Sequence, residues 1–386
     1  MSDRIYLDWN ATTPLRPEVR AAMIAAFEVS GNPSSVHAEG RRARRMMEDA
    51  REAVARAVGA TARNVVFTSG GTEANALALA PGLRAPAGPV ERLLVSAIEH
   101  PSVLSGGQFA PGAASTVPVT RSGVIDLPRL RESLEGPPAL VSVMAANNET
   151  GALQPICEVA EIVHAAGCLL HVDAIQAFGK IPFNIKQVGV DVATVSAHKI
   201  GGPKGVGALI LGANMEGLAP LLRGGGQERG RRAGTENVPG IIGFGAAVMA
   251  AMAALEADRL RLEGLRDRLE AGLRATGRAQ VFAANTARLP NTTLFTAPGL
   301  KAETAVIGFD LEGIAVSSGS ACSSGKVQAS HVLEAMGVGS AAAGGAVRLS
   351  LGWSTRDEDI DRCLEAWRKL SLTLLRGSDE TQLDRF

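Results

Sequence analysis

Short, nearly continuous apolar runs alternate with longer segments of helical period over the first half of the chain. The apolar runs, which predict strands, span residues 65–67, 92–97, 140–145, 169–172 and 191–195. Helical periods occupy 43–58 and 156–166. Strands that are buried on both faces have this apolar character, and their alternation with helices is typical of parallel sheets. The pattern predicts an α/β fold with a mostly parallel sheet.

The pattern changes after residue 256. A charged helical segment covers 256–274, short strands are predicted near 292–296 and 347–351, and a final helix begins at Asp357. A chain of 386 residues exceeds the roughly 250–300 residues that one hydrophobic core supports. We therefore expect a large α/β domain at 14–258 and a smaller α+β domain formed by 1–13 and 259–386.

Residues 238–255 carry no charge and are long enough to span a membrane. The segment is rich in Ala and Gly, has Pro239 near its start, and continues into charged sequence. We interpret it as a buried, closely packed helix, in the core or at a subunit interface, and expect no membrane span.

Charge and cysteine content exclude several classes of protein. Lys plus Arg and Asp plus Glu number 39 each, which leaves no basic surface of the kind that nucleic acids require. The N-terminus has no apolar segment typical of a secretory signal, so a cytoplasmic location is expected. The four cysteines show no CxxC spacing and are expected to be free thiols.

Polar, chemically reactive residues follow several of the predicted strands. They are Thr68 to Asn75, Glu99-His100, Asn147 to Glu149, His171 to Gln176 and Ser196 to Lys199. Singly, each is explained by helix capping or solvation, and the Walker spacing is absent. Because ligands of open parallel sheets bind at the carboxyl ends of strands, we expect these residues to converge.

Together these residues match the needs of a pyridine aldehyde phosphate. Such a cofactor requires an amine for a Schiff base, a carboxylate for the ring nitrogen and a cup for the phosphate. Lys199 and Asp173 offer the first two. The phosphate cup is predicted from Gly71-Thr72, Ser196 and His198.

Six strings along the chain resemble cysteine desulfurases of the NifS/IscS type. They are Leu7-Asp8 with Ala11 to Pro14, Thr68 to Glu73, His171 to Ala174, Ser196 to Lys199, Arg231 to Asn237 and Ser317 to Cys322. That family belongs to the class V branch of fold-type I pyridoxal-phosphate enzymes. The resemblance implies this fold, with a mostly parallel seven-stranded sheet, and pyridoxal 5'-phosphate as cofactor.

The resemblance also implies a role for each site residue. Lys199 is the Schiff-base lysine, Asp173 pairs with the pyridine nitrogen, and Gln176 donates to the ring hydroxyl oxygen. His100 stacks on the ring and exchanges a proton with the substrate thiol. The phosphate is held by Gly71, Thr72, Ser196, His198 and, from the neighbouring subunit of a homodimer, Thr235. Asn148 and Arg348 meet the carboxylate of L-cysteine.

Cys322 lies in a segment, 317–325, that is rich in Ser and Gly, and such a composition predicts an exposed thiol. The resemblance implies that Cys322 attacks the substrate sulfur, so that L-alanine and a Cys322 persulfide form. The persulfide then serves an iron–sulfur scaffold protein, with nitrogenase maturation as one destination. No intrinsic metal is implied, although Cys322 could be a transient iron–sulfur ligand. Cys157, Cys168 and Cys363 are expected to be structural.

Three alternatives stay open on the sequence. A selenocysteine lyase would use the same cofactor residues on selenium. Another class V lyase or aminotransferase would not need Cys322. A catalytically silent scaffold would bind no cofactor, which the presence of Lys199 and Asp173 disfavours.

Overall fold

The computed structural model describes residues 4–213, 215, 217–276, 278–319 and 330–375. The strands are β1 (Ile5–Tyr6), β2 (Val65–Thr68), β3 (Arg84–Ala85), β4 (Gly88–Pro89), β5 (Arg92–Ser96), β6 (Ala114–Val117), β7 (Ala139–Met144), β8 (Leu169–Asp173), β9 (Val192–Ser196), β10 (Gly207–Leu211), β11 (Gln280–Val281), β12 (Thr292–Thr296), β13 (Ile314–Ala315), β14 (Ser317–Ser318) and β15 (Val347–Ser350). The helices are α1 (Pro17–Phe27), α2 (Ala38–Ala57), α3 (Gly71–Ala78), α4 (Pro101–Leu104), α5 (Leu127–Ser133), α6 (Ile156–Ala165), α7 (Val238–Arg274), α8 (Ala302–Leu311), α9 (His331–Ala335), α10 (Ser340–Gly344) and α11 (Asp357–Leu374). Short 3-10 turns cover Ala62–Asn64, Ala197–Lys199 and Gln227–Gly230.

A seven-stranded sheet with the order β2-β10-β9-β8-β7-β5-β6 forms the centre of the molecule. Strands β9, β8, β7, β5 and β6 are parallel, whereas β10 is antiparallel to both of its neighbours. The predicted α/β fold with a mostly parallel sheet is confirmed. The sequence pattern did not reveal β6, whose residues are mostly exposed, or β10, which follows a Gly-rich stretch.

The strand register aligns the ends of four strands at one edge of this sheet. Asp173 at the end of β8 pairs with Thr194 of β9, and Gly207 at the start of β10 pairs with both Ser196 and Thr68. A Cβ atom on Gly207 would lie 2.6 Å from the Gly70 carbonyl carbon. Only glycine therefore allows the loop after β2 to approach β10 so closely.

A second, antiparallel sheet has the order β11-β12-β15-β14, and the N-terminal β1 pairs in parallel with β13 beside it. Its apolar core is separate from that of the central sheet and is built around Trp367, whose ring contacts Phe295 edge-on and stacks on Phe309. These contacts support the proposal that 1–13 and 259–386 form the small domain, with 14–258 as the large one.

Helix α7 is continuous over Val238–Arg274, where the sequence suggested an apolar segment followed by a separate charged helix. Pro239 lies in its first turn and the Asn237 side chain caps it. Its first part packs in the core of the central sheet through Phe244 and its neighbours, and its last part packs in the second core through Leu269. It is the one helix among the described residues with the length and hydropathy of a membrane span, and half of that apolar window is buried within the protein.

Candidate functional site

The reactive side chains predicted from the sequence gather at one edge of the central sheet. Asp173 is the last residue of β8, and Ser196 is the last residue of β9. Lys199 ends the 3-10 turn after β9, and Gly71 begins α3 after the loop from β2. The strand register brings these four residues to one crevice.

The buried carboxyl group of Asp173 accepts hydrogen bonds from two donors. Its Oδ2 accepts from Asn75 Nδ2 at 2.8 Å, and its Oδ1 accepts from the backbone N–H of Ile175 at 3.0 Å. Burial raises the pKa of Asp173, and the two hydrogen bonds, followed by the charges of His100 and Lys199, oppose that rise. A carboxylate held in this way is arranged to pair with one protonated ring nitrogen.

Asn75 connects this carboxylate to a buried polar network. Its Nδ2 also donates to Ser102 Oγ at 2.9 Å, and its Oδ1 accepts from Thr194 Oγ1 at 2.6 Å. Beneath it, His171 lies 3.4 Å from Thr194 Oγ1 and 2.8 Å from Ser142 Oγ. Burial lowers the pKa of His171 to about 3, so its ring is neutral. Because Oδ1 is occupied, the Asn75 amide must direct its NH2 group to the carboxylate.

Lys199 is a partly buried amine at the centre of the crevice. Its Nζ donates to the backbone carbonyl oxygens of Asn10 and Ala11, at 2.5 and 2.9 Å. Burial, followed by the positive charge of Arg348, lowers the pKa of Lys199 to about 8, and the carboxylates of Asp173 and Asp8 oppose this shift. At neutral pH more of this amine is unprotonated than in an ordinary lysine, as a nucleophile or base requires.

A cavity of about 390 Å³ lies beside Lys199 at the N-terminus of α3. It is lined by Ala11, Thr12, Ser69, Gly70, Gly71, Thr72, Glu73, Ser196, His198, Lys204 and Gly205. The buried Ser196 Oγ has no hydrogen-bond partner among the residues that the structure describes. A Cβ on Gly71 would lie 2.3 Å from Ile175 Cδ1, so this turn requires glycine. An unused hydroxyl beside helix N–H groups fits a phosphate, and the residues present therefore fit pyridoxal phosphate.

His198 completes this wall of the cavity. Its Nδ1 lies 3.2 Å from Thr12 Oγ1, and burial lowers the pKa of His198 to about 4. The neutral ring can donate one hydrogen bond to an anion without adding a positive charge.

Gln176 is buried one turn after Asp173, and both ends of its amide are hydrogen-bonded. Its Nε2 donates to the Asn10 carbonyl oxygen at 3.0 Å, and its Oε1 accepts from Lys180 Nζ at 2.7 Å. Lys180 also donates to Asn10 Oδ1 at 2.8 Å. The crevice therefore contains a second amine that sequence reasoning did not identify.

Arg348 reaches the crevice from β15 of the second sheet. Its Nη2 donates to Asp8 Oδ1 at 2.7 Å, and its Nη1 donates to the Asn148 carbonyl oxygen at 3.0 Å. Its buried Nε has no partner within the described part of the chain. A guanidinium with an unused donor is suited to a carboxylate ligand.

His100 caps α4 at the rim of the site. Its Nδ1 accepts from the backbone N–H of Ser102 at 3.1 Å and lies 2.7 Å from Ser102 Oγ, so the neutral ring carries its proton on Nε2. Desolvation, the largest influence, lowers the pKa of His100. The preceding Glu99 is fully buried, and burial, followed by the charge of Asp173, raises its pKa well above its ordinary value.

Two predicted site residues lie outside this cluster. Thr235 is exposed, in the segment that precedes α7, and one chain does not test its predicted role in a neighbouring subunit. Cys322 lies outside the described residues. Of the other cysteines, Cys168 and Cys363 are buried, and burial raises the pKa of Cys363 to about 12, whereas Cys157 is exposed on α6.

Sequence reasoning gave no role to four residues that hold the site together. Asp8 and Asn10 follow β1, Asn75 lies within α3, and Lys180 is the last residue of the turn after β8. A signal existed for Asp8 and Asn10, which form a short polar string directly after an apolar run. Asn75 and Lys180 lie three and four residues after predicted site residues, Thr72 and Gln176, but nothing in their own type indicated the contact.

Comparison with known proteins agrees with this geometry. Residues 5–363 match the family model described as aminotransferase class-V. The chain is 45% identical to a cysteine desulfurase of Cereibacter sphaeroides over 94% of each chain, and 40% identical to the cysteine desulfurase IscS of Dictyoglomus turgidum over 96% of this chain and 95% of that protein. A solved NifS-like protein of Rickettsia africae superposes with a TM-score of 0.87 at 38% identity, covering 95% of this chain and 99% of that one. This chain therefore belongs to the class-V aminotransferases, among the cysteine desulfurases of the NifS/IscS type.

Proposed function

We propose that this chain removes sulfur from L-cysteine with pyridoxal 5'-phosphate, forming L-alanine and a persulfide on Cys322. The proposal rests on three groups that converge in one crevice. They are the amine of Lys199, the buried carboxylate of Asp173 and the Ser196 hydroxyl, which has no hydrogen-bond partner among the described residues. The similarity to cysteine desulfurases over nearly the whole chain supports the substrate.

When bound, the cofactor supplies an electron-accepting ring that stabilises negative charge at the substrate α-carbon. We assign its phosphate to Gly71, Thr72, Ser196 and His198, with the partner subunit's Thr235. The available Ser196 hydroxyl and the α3 N-terminus support this assignment.

We assign four side chains to the binding of the cofactor ring. Asp173 holds the proton on the ring nitrogen and is itself held by Asn75. Gln176 donates to the ring hydroxyl oxygen, His100 covers the ring face, and Asn148 borders it.

Lys199 would hold the cofactor covalently, and its Nζ, when free, would take the α-proton of the substrate. Burial and the positive charge of Arg348 lower its pKa to about 8, which favours the unprotonated amine that both tasks need. The carbonyl oxygens of Asn10 and Ala11 hold this amine when it is free.

Arg348 and Asn148 bind the substrate carboxylate. The unused Nε of Arg348 supports this role, since its Nη atoms already donate to Asp8 and to the Asn148 carbonyl. We assign proton exchange with the substrate sulfur to His100 Nε2. This nitrogen carries the ring proton while Nδ1 accepts from Ser102, so it can take up a thiol proton only after giving that proton away.

The Cys322 thiolate then forms a bond to the substrate sulfur as the carbon–sulfur bond breaks. The electron pair stays with the carbon skeleton, which takes up protons and leaves as L-alanine. The sulfur remains on Cys322 as a persulfide, through which Cys322 could transiently ligate an iron–sulfur cluster.

We further propose a cytoplasmic homodimer that delivers this sulfur to an iron–sulfur scaffold protein. Nitrogenase maturation is one destination. The exposed position of Thr235 supports the dimer, because a residue assigned to phosphate binding is left open to solvent in a single chain.

The test measures sulfide and alanine from purified protein, pyridoxal phosphate, L-cysteine and a reductant. We expect equal yields from the wild type and from Cys157→Ala, a control that removes another exposed thiol. Both products should be lost in Cys322→Ala and Lys199→Ala.

Full activity of Cys322→Ala would overturn the persulfide mechanism and leave a general lyase or aminotransferase. A faster reaction with L-selenocysteine, retained in Cys322→Ala, would identify a selenocysteine lyase instead. A wild type that shows no absorbance from bound cofactor would overturn the whole proposal.

A further inference from the structure

Lys180 contacts residues of the proposed site but has no assigned role in the proposed reaction. Its Nζ donates to Gln176 Oε1 at 2.7 Å and to Asn10 Oδ1 at 2.8 Å. It also borders a cavity of about 40 Å³ that Lys199 lines as well. Two amines therefore lie close together at the base of the crevice.

The contacts of Lys180 fix the orientation of two amide groups. A lysine amine at Nζ serves here only as a donor, so both amides must turn their oxygen atoms towards it. The Gln176 Nε2 consequently points away from Lys180 and donates to the Asn10 carbonyl oxygen at 3.0 Å. The Asn10 Nδ2 likewise points away, to the Asn148 carbonyl oxygen and Thr292 Oγ1.

Burying the Lys180 amine costs free energy of folding. Burial, with the positive charges of Lys199 and Arg348, lowers the pKa of Lys180 well below its ordinary value. Both of its acceptors are neutral amide oxygens, which offset the burial of a cation less than a carboxylate would. An apolar residue would fill the same position without that cost.

A hydrogen bond to the amide oxygen affects the other end of the amide. Hydrogen bonds in a chain polarise one another, so an amide whose oxygen accepts from Lys180 Nζ becomes a stronger donor through its nitrogen. The Gln176 Nε2 has two hydrogens, and the Asn10 carbonyl takes one of them. The second has no acceptor within the described part of the chain and can donate to a ligand in the crevice.

We propose that Lys180 is a positioning residue that fixes and polarises the Gln176 amide, so that its Nε2 donates to the ring hydroxyl oxygen of the cofactor. The inference deepens the proposed function and rests on it, because the acceptor belongs to pyridoxal phosphate. Lys180 acts through Gln176 and does not touch the reacting atoms.

A double-mutant comparison tests this dependence. Wild type, Lys180→Met, Gln176→Met and the double variant are prepared without cofactor and titrated with pyridoxal phosphate. The dissociation constant and the absorption maximum of the bound cofactor are recorded, together with the melting temperature of each cofactor-free protein. Lys180→Gln, which keeps a donor but no charge, is measured in the same way, alone and combined with Gln176→Met.

We expect each Met variant to weaken cofactor binding about tenfold and to shift the absorption maximum, as loss of one hydrogen bond near a charge would. The double variant should bind within about twofold of Gln176→Met, since the proposal places the effect of Lys180 on the ring in Gln176 and not in its second partner, Asn10. Lys180→Gln should recover part of the binding.

Two results would overturn the inference. One is independence, in which the double variant binds about a hundredfold more weakly, the product of the single effects. The other is a Lys180→Met protein that melts at a lower temperature but binds pyridoxal phosphate with the affinity and absorption maximum of the wild type. Lys180 would then stabilise the fold without acting on the cofactor.

Two further outcomes are distinguishable from these. If Lys180→Met does not fold, the Lys180→Gln pair carries the same comparison, and full binding in Lys180→Gln would exclude any need for the charge. If wild type itself fails to bind pyridoxal phosphate, the proposed function fails first, and this inference fails with it.

Discussion

Asn75 donates to the Asp173 carboxylate at 2.8 Å while its own amide oxygen accepts from Thr194. The contact joins α3 to the end of β8 and leaves Asn75 one possible orientation. The carboxylate of the site is thus held by a residue whose partners extend down into the sheet.

Replacing Asn75 by Ala should impair the site more than the fold. The buried Asp173 would lose one of its two donors, and hydrogen bonds to charged groups are each worth about 1.5–3 kcal/mol. We expect cofactor affinity and kcat to fall by about tenfold or more. Asn64→Ala is the matched control, because Asn64 is equally buried but donates to the carbonyl oxygens of Leu211 and Gly212, away from the site. Equal losses of kcat in both variants would contradict the assignment.

Removal of Glu228 should destabilise the protein strongly. Its carboxylate accepts two hydrogen bonds from Arg51, at 2.6 and 2.7 Å, and both side chains are buried. Glu228→Ala would leave the buried Arg51 guanidinium with the half-exposed Glu48 as its remaining counter-charge, and breaking a buried pair in this way costs up to about 3–5 kcal/mol. Urea denaturation measures the free energy of unfolding. Glu132→Ala breaks an exposed ion pair with Arg129 and should cost less than about 1 kcal/mol.

The same pair holds a turn in an unusual backbone conformation. Glu228 has φ 45° and Arg229 has φ 58°, a region that residues other than glycine rarely adopt. This turn leads into the segment that carries Thr235. If Glu228→Ala retained wild-type stability, the ion pair would not be what holds the turn.

The reactivity of Lys199 should depend on pH with a midpoint near 8. Its pKa is lowered mainly by burial and secondly by the charge of Arg348. The rate at which cofactor-free protein captures pyridoxal phosphate should therefore rise with pH through about 8. Arg348→Gln removes the second cause, so the midpoint should move upward. A midpoint that is unchanged in Arg348→Gln would show that this charge does not act on the amine.

Glu149 should make the protein less stable as pH rises through neutrality. Burial raises the pKa of Glu149 to about 7, although Ser330 Oγ donates to it at 2.6 Å. The folded state thus binds a proton at this group between about pH 4.5 and 7 that the unfolded state has released, and folding stability declines over that range by up to about 3 kcal/mol. Glu149→Gln stays neutral, so it should gain stability relative to wild type at pH 8 compared with pH 5. Melting temperatures at both pH values check this, with Glu132→Gln as an exposed control.

The sequence predicted five of the seven strands of the central sheet because those strands are continuous apolar runs. In the second sheet, the predicted bounds of β12 also agree with the structure. The hydrophobic pattern did not predict strands that are short or that have no distinctive run of apolar residues. Strand β10 is a short run after glycines, and its antiparallel direction depends on pairing with β2 and β9, which no local signal encodes.

The same division applies to the site. Residues with distinctive chemistry, such as Lys199 and Asp173, could be predicted because each follows a recognisable strand. The contact between Asn10 and Lys180 could not be predicted, because it joins positions 170 residues apart in the chain. Such contacts exist only once the N-terminal segment has docked against the sheet.

Helix α7 packs in both cores, so the rotation of one core relative to the other depends on the number of helical residues between the two contact faces. Each residue advances an α-helix by roughly 100° and 1.5 Å. One residue inserted in the exposed stretch near Ala257 would turn Leu262 and Leu269 away from the second core, and with them the β15 strand that brings Arg348 to Lys199. Seven inserted residues would nearly restore the phase but move the two cores about 10 Å apart. Changes of length along this helix should therefore be far less tolerated than changes of residue type at its exposed positions.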